Sequence, residues 1–207
     1  MCLDDETFST EPILLITFGN GSAQYSNVTP ANFHFSTTYT QRFQPVTNDG
    51  MFSFINSIHN DFNNAWHTNA TDHSEDNGGY MYLVNADFKA GQFYNGRVDN
   101  LCVGLRYEFS VYLANLCKPS GRINPNILFE VRSMEENTLL AQLNSGDIPE
   151  RDILTWEKYG FSFIAPDSSV NLLMISNAQG GGGNDIVIDD IALRVCANGG
   201  TGFCPSN

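Results

Sequence analysis

Two adjacent carboxylates near the C-terminus are the residues of this sequence best suited to chemistry. Asp189 and Asp190 lie in the apolar segment NDIVIDDIALRV (184–195), which follows a run of four glycines. Side chains alternate between the two faces of a strand, so Asp189 should share the more apolar, core-side face with Val187 and Ile191. A hard cation with oxygen ligands keeps such a carboxylate ionised, which predicts a cation site. The alternative is that both carboxylates meet water or backbone N–H groups.

The polar segment 59–79 is the second stretch with chemical potential. It concentrates acids, histidines and one tryptophan ahead of a strand-like run, and a loop of this length is usually functional or disordered. Trp66 and the two glycines at its end argue against disorder. Asp72, Asp76 and the carbonyls around 77–78 supply the oxygen ligands that calcium binds. The alternative is a solvated acidic loop.

The elements that must position these residues are short strands separated by turns. No stretch has helical periodicity and no repeat is present, so the pattern predicts an all-β antiparallel β-sandwich (jelly roll) with long loops and extended terminal arms. The predicted divisions are an N-terminal arm (1–12), the sandwich (13–196) and a C-terminal tail (197–207). Strands are predicted at 13–18, 33–35, 40–43, 51–58, 80–85, 92–98, 107–113, 127–132, 138–143, 159–164, 170–176 and 186–195.

Charge and composition narrow the class of partner. The 207 residues include 10 Lys and Arg against 23 Asp and Glu, a net charge of −13, which argues against nucleic acid and anionic membrane surfaces. No apolar run approaches the length of a membrane span, so we expect no membrane insertion. Sequons at Asn20, Asn27 and Asn69 are compatible with glycosylation in a secreted or cell-surface protein.

Three motifs resemble known extracellular domains. Segment 66–80, with Trp66, DHS at 72–74 and GY at 79–80, resembles the W…DHT…GxY signature of MAM domains. The ending 184–191 resembles the IDDI/IDDV last strand of family 4/9/22-type carbohydrate-binding modules. Phe18-Gly19 stands where these families carry FE. The span 13–196 also looks like jelly-roll domains of large secreted adhesins.

This resemblance implies a jelly roll with a structural Ca²⁺ where the first strand, the 59–79 loop and the last strand meet. Carried over to this sequence, the ligands are Asp72, Asp76 and Asp189, completed by carbonyls near 19–20. Gly19 replaces the acid of the family, so one carboxylate is missing. Asn20, Asp185 or Asp190 could supply a ligand instead.

The five cysteines lack the CxxC spacing of a zinc site and predict one or two disulfides in an extracellular protein. If the 107–113 strand lies antiparallel to the last strand, as in jelly rolls, Cys102 comes close to Cys196. Cys2 and Cys204 lie in the two arms and are the second predicted pair. Cys117 then has no partner within the chain.

The sequence predicts a binding protein that is not an enzyme. It has neither G-x-S-x-G nor HExxH, and a His67–Asp72 pair or two carboxylates of a hydrolase remain an alternative. We expect a secreted or cell-surface adhesion module that recognises a glycan or an extracellular protein, copies of itself included. A structural subunit of an extracellular assembly, docked through its terminal arms, is another alternative. The residues predicted to bind the ligand are Trp66, Tyr94, Tyr112 and Glu130, and Trp156 is expected to be core.

Overall fold

Two stacked β-sheets make up the computed structural model, which describes residues 2, 11–46, 48–58, 64–68, 70–74 and 76–196. Among these residues the one helical element is a 3-10 turn, η1 (Pro30–Phe33). The strands are β1 (Leu14–Ile16), β2 (Phe35–Ser36), β3 (Thr40–Gln41), β4 (Met51–Ile55), β5 (Met81–Asn85), β6 (Gln92–Val98), β7 (Arg106–Asn115), β8 (Asn126–Ser133), β9 (Leu139–Asp147), β10 (Glu157–Ile164), β11 (Val170–Ser176) and β12 (Asp185–Val195). The predicted all-β sandwich is therefore confirmed.

The last strand lies inside the larger sheet. The seven-stranded sheet has the order β10-β7-β12-β5-β4-β3, with β1 paired to the C-terminal part of β12, and the five-stranded sheet has the order β2-β6-β11-β8-β9. All pairs are antiparallel except β3 with β4. Strands β5 to β8 alternate between the sheets, as in a jelly roll. Because β12 has strands on both sides, its polar side chains must find partners above or below the sheet.

Alternating apolar side chains build the core between the sheets. In β7, Tyr107, Phe109, Val111 and Leu113 are all fully buried there, as strict alternation along a strand requires. Burying each such side chain contributes about 1.5–3 kcal/mol.

A second core covers the outer face of the seven-stranded sheet. The chain after β4 folds back over this face, and Ile58 and Trp66 pack there against Leu83 and Val187. The 59–79 loop is thus tied down in its described parts by its own tryptophan.

A β-bulge in β12 reverses its side-chain alternation. Asp189 lies opposite Tyr112 of β7 and Ala192 lies opposite Ser110, so β12 carries one extra residue between them. Asp190 has a left-handed φ of 49° there. One inserted residue moves all later side chains to the other face. The prediction that Asp189 shares the core face with Ile191 is therefore wrong: Ile191 faces the core between the sheets, whereas Asp189 faces outward.

The cysteines pair differently from the prediction. Cys2 is bonded to Cys196, with their Cα atoms 5.4 Å apart, so the predicted Cys102–Cys196 and Cys2–Cys204 pairs are wrong. The expected antiparallel pairing of β7 with β12 is present. However, β1 pairs with the other side of β12, and the partner of Cys196 is Cys2, which precedes β1 in the sequence.

The remaining cysteines complete this account. Cys102 is also disulfide-bonded, and Cys204 lies outside the described residues. Cys117 is free and buried, as expected. Disulfides indicate an oxidising, extracellular-type environment. Within the described residues, the structure has no helix long and apolar enough to cross a membrane. Most of the predicted arm and all of the predicted tail lie outside the described residues.

Candidate functional site

Asp189 is the central acid of the candidate cation site. Its side chain is 0% exposed, and its two oxygens accept hydrogen bonds from the backbone N–H groups of His73 (2.8 Å) and Asp190 (2.9 Å). Burial raises the pKa of Asp189 to about 8, and the Asp190 and Asp72 carboxylates raise it further against the effect of these N–H groups. An ionised Asp189 therefore needs positive charge nearby.

Asp72 is the second buried acid of this site. It is 2% exposed, and neither carboxylate oxygen receives a hydrogen bond of normal geometry within the described part of the chain. Burial raises its pKa, although Ser74 and the Asp76 backbone favour the ionised form. A side chain on Gly79 would collide with this carboxylate, which explains the glycine. Two buried, unpartnered oxygens are what a bound cation would satisfy.

The Asp190 carboxylate is paired with a histidine. It forms an ion pair of 2.6 Å with Nδ1 of His73, whose ring stacks on Tyr112 with centroids 3.4 Å apart. Accordingly, the described residues contain no group of three or more His, Cys, Asp or Glu side chains that could hold a metal. The site therefore offers two carboxylates, and backbone carbonyls would have to complete a calcium shell.

The end of the first strand reaches the same place. Phe18 and Gly19 both have positive φ, and this turn brings Asn20 into a β-bridge with Gly79, the residue that touches Asp72. The predicted convergence of the first strand, the loop and the last strand is thus present. The side chains of Asn20 and Asp76 are exposed, and the Asp76 carbonyl accepts a hydrogen bond from Gly79. Their role as ligands stays a prediction.

Asp185, an alternative ligand, lies at the other end of β12. It accepts hydrogen bonds from Nε1 of Trp66 (2.9 Å) and Sγ of Cys117 (3.3 Å). It also accepts one from the side-chain amide nitrogen of Asn85 (3.1 Å) in the amide orientation that gives both the nitrogen and the oxygen suitable partners. Burial raises its pKa to about 6. The hydrogen-bond donors to Asp185 are thus all neutral. Asp185 lies about 13 Å along the strand from Asp189.

Two of the predicted ligand-binding rings are buried. Trp66 is 1% exposed in the second core, because its indole N–H must reach Asp185. Tyr94 is buried between the sheets because it alternates regularly with Gly96 and Val98 along β6 and lies opposite Met174 of β11. The prediction that these two rings bind a ligand at the surface is wrong for both.

Glu130 lines a groove on the outer face of the five-stranded sheet, which we call the amide groove. Its volume is about 390 Å³. Leu173 of β11 forms the floor, with Asn95 of β6 and Glu130 of β8 directly opposite it on either side. Glu130 is buried and accepts a 2.6 Å hydrogen bond from Nε of Arg132. The groove is lined by Gln92, Asn95, Glu130, Arg132, Asn137, Asn171, Leu173 and Ile175.

Tyr112 lies on the opposite side of the molecule, on the outer face of the seven-stranded sheet. It lines a depression of about 280 Å³ together with His73 and Arg194. The structure therefore does not bring Tyr112 and Glu130 together, and one small ligand cannot touch both.

A larger cavity of about 480 Å³ lies next to this depression, and sequence reasoning missed it. We call it the loop cavity, and it is lined by residues 67–68, 70–73 and 152–154 together with Lys118 and Trp156. Trp156, expected to be core, is half-buried in its wall. The available signal was the apolar run Ile153-Leu154 beside Trp156 in a polar connection.

The predicted glycosylation sites fall on the surface where they are described. Asn20 and Asn27 are exposed, and Asn69 lies outside the described residues. Attachment of sugar at these positions stays a prediction.

Known structures share this fold at low sequence identity. A cyclase from Fischerella sp. TAU is 14% identical and has a TM-score of 0.57, with 86% of this chain and 91% of that chain covered. The apo form of a cyclase from Fischerella sp. is 15% identical, with a TM-score of 0.56 and coverages of 91% and 93%. A carbohydrate-binding module, CBM4, is 17% identical, with a TM-score of 0.41 and coverages of 58% and 72%. No protein-family model and no curated protein matches the chain. The likeness to the two cyclases shows a shared fold.

Proposed function

We propose that this protein is a non-catalytic extracellular binding module that holds a neutral glycan in the amide groove, on a sandwich stabilised by calcium. The amide groove is the observation that carries the proposal. Its amide groups can both donate and accept hydrogen bonds, as sugar hydroxyls require. Leu173 and Ile175 offer an apolar floor to the C–H faces of a sugar.

The charge of the groove favours a neutral ligand. Glu130 is paired with Arg132, and Arg132 also donates from Nη1 to the Asn137 carbonyl (2.9 Å). These side chains are therefore held in place before a ligand arrives, which lowers the entropic cost of binding. A strongly charged glycan would have to break the ion pair.

Calcium has a structural role in this proposal. Asp72 and Asp189 would hold it, with carbonyls of the neighbouring turns. The ion would neutralise the two buried carboxylates and fasten the 70–74 segment to β12. A ligand that binds the native state alone stabilises it by mass action.

Secretion or display at the cell surface fits the disulfide and the exposed sequons. The non-catalytic assignment rests on what the acids contact, because Asp190 is paired with His73 and Glu130 with Arg132. In the hydrolase alternative, His67 would act with Asp72. The His67 ring instead contacts the Arg151 carbonyl at 3.1 Å.

A glycan array tests the groove. The wild-type protein should bind a limited set of neutral glycans. Asn171→Ala should reduce that binding about tenfold, the equivalent of ~1.4 kcal/mol for lost hydrogen bonds. Gln44→Ala, which removes an exposed amide outside the groove, should bind as the wild type does. Equal binding by all three proteins, or no binding by the folded wild type, would overturn the proposal.

The second candidate is a structural subunit of an extracellular assembly docked through its arms. The Cys2–Cys196 bond fastens the start of the chain to its own sandwich. Because this bond does not involve a neighbouring subunit, we rank the assembly hypothesis second. Light scattering across a hundredfold range of concentration separates the two, because an assembly subunit should grow in mass with concentration.

A further inference from the structure

The loop cavity lies on the face opposite the amide groove and is shaped by two loops that hold each other. Nε1 of Trp156 donates to the Thr71 carbonyl (3.2 Å), and the His67 ring contacts the Arg151 carbonyl (3.1 Å). The Lys118 N–H donates to the Ala65 carbonyl (2.9 Å). These bonds between distant segments make the cavity pre-formed.

The lining combines the Trp156 ring and two histidine rings with hydroxyls and charged side chains. Since the Trp156 N–H is already used, the part of the ring that stays open offers its apolar surface. Ile153 is 74% exposed at the rim. Thr68, the acids Asp72 and Asp152, and Lys118 lie around the cavity. Such a lining suits a neutral, amphipathic ligand with several hydroxyls, and the volume is within the range of small-molecule sites.

A row of rings leads out of the cavity. His73 contacts Trp156 edge-on, with centroids 6.2 Å apart, and stacks on Tyr112 on its other side. The depression at Tyr112 continues the surface beyond His73. A ligand longer than one sugar unit could therefore follow the rings from Trp156 to Tyr112.

We propose that the loop cavity is a second saccharide-binding site, which takes one end of a neutral oligosaccharide against Trp156 and directs its chain over Tyr112. The site does not depend on the amide groove. Two sites on opposite faces let one molecule bridge two glycan chains, and this raises avidity without any new contact.

The chain has two tryptophans, and they make a sharp test. Trp66 is buried in the second core, whereas Trp156 lines the cavity, so a ligand should change the emission of Trp156. The probes are the β-1,4-linked tetraoses of glucose, galactose and mannose. At least one should give a saturable change with a Kd of about 1 mM or tighter. Trp156→Ala should abolish it, and Thr68→Arg, which fills the cavity but keeps Trp156, should abolish binding by calorimetry.

The control distinguishes this site from the groove. Asn171→Ala, in the amide groove, should leave the Trp156 response unchanged. The proposal is overturned if no tetraose gives a saturable response at about ten times that Kd, or if Thr68→Arg binds as tightly as the wild type. A response lost in Asn171→Ala but kept in Thr68→Arg would support the groove and reject this second site.

Discussion

Asp185 and Asp189 are the same residue type on the same strand and the same outer face, and both are buried. Their partners differ. Asp185 accepts from an indole, a thiol and an amide, which are all neutral donors. Asp189 accepts hydrogen bonds from two backbone N–H groups but lies close to the Asp72 and Asp190 carboxylates. The pKa of Asp189 is raised to about 8, whereas that of Asp185 is raised to about 6.

The difference teaches that burial alone does not identify a cation site. Asp185 is part of a hydrogen-bond network that anchors the long loop through Trp66. At Asp189, the neighbouring Asp72 has buried oxygens with no hydrogen-bond partner in the described structure, and the proposed cation would satisfy them. Asp185 should therefore matter for packing, and Asp189 for calcium binding.

Calcium removal should give the largest effect. With calcium at about a hundred times its Kd, the ion contributes about 2.7 kcal/mol, so EDTA should lower the Tm by about 5–10 °C. Asp189→Ala should abolish this calcium dependence. Differential scanning calorimetry of wild type and variant, with calcium and with EDTA, measures it. A metal-loaded wild type with the same Tm in EDTA would contradict the assignment.

Asp185→Ala should cost less and act in another way. It leaves the Trp66 indole N–H buried without an acceptor, a loss of about 1–3 kcal/mol in the free energy of unfolding. Urea denaturation should show this loss with and without calcium, and the calcium-induced rise in stability should stay as in the wild type. Asp185→Asn, which keeps an acceptor oxygen, is the milder matched variant. A calcium response lost in Asp185→Asn would break the distinction between the two acids.

The pH dependence should give the smallest effect. The folded pKa of Asp189, about 8, lies above the usual aspartate value of 3.8. The metal-free native state thus keeps a proton that the unfolded chain releases, and the stability from this group is lost as pH rises toward 8. Calcium needs the deprotonated acid. Between about pH 5 and pH 8 the Tm difference between calcium and EDTA should grow by about 3–5 °C. A constant difference would contradict the role of Asp189.

The regular alternation of side chains along a strand could be predicted from the sequence, whereas a β-bulge that interrupts this alternation could not. The inward set of β7 follows from strict alternation in a strand with no bulge. In β12 the same reasoning placed Asp189 on the wrong face, because one inserted residue reverses the alternation without changing the residue types. Tyr94 is different, because it shares the inward face with Val98 by regular alternation, and the sequence analysis missed this.

Contacts between segments far apart in the sequence were the second feature that could not be predicted from residue types. The convergence of Asp72 and Asp189 came from motifs that resemble other proteins rather than from spacing. The partner of Cys196 depends on which strand lies beside β12, and β1 has three residues. The loop cavity is formed by loops about 80 residues apart, and the cited interactions that join them run from the His67 and Trp156 side chains to backbone carbonyls. Because every residue has a carbonyl, the residue types do not reveal which residue is the acceptor.

The central claim is the calcium site at Asp72 and Asp189. It is tested most directly by X-ray diffraction from crystals grown with calcium, at a wavelength where calcium scatters anomalously. The account predicts an anomalous peak between the Asp72 and Asp189 carboxylates, at oxygen distances of about 2.3–2.6 Å, with main-chain carbonyls completing the shell. A map without this peak, in which the Asp72 oxygens are satisfied by other protein groups or by water, would contradict it.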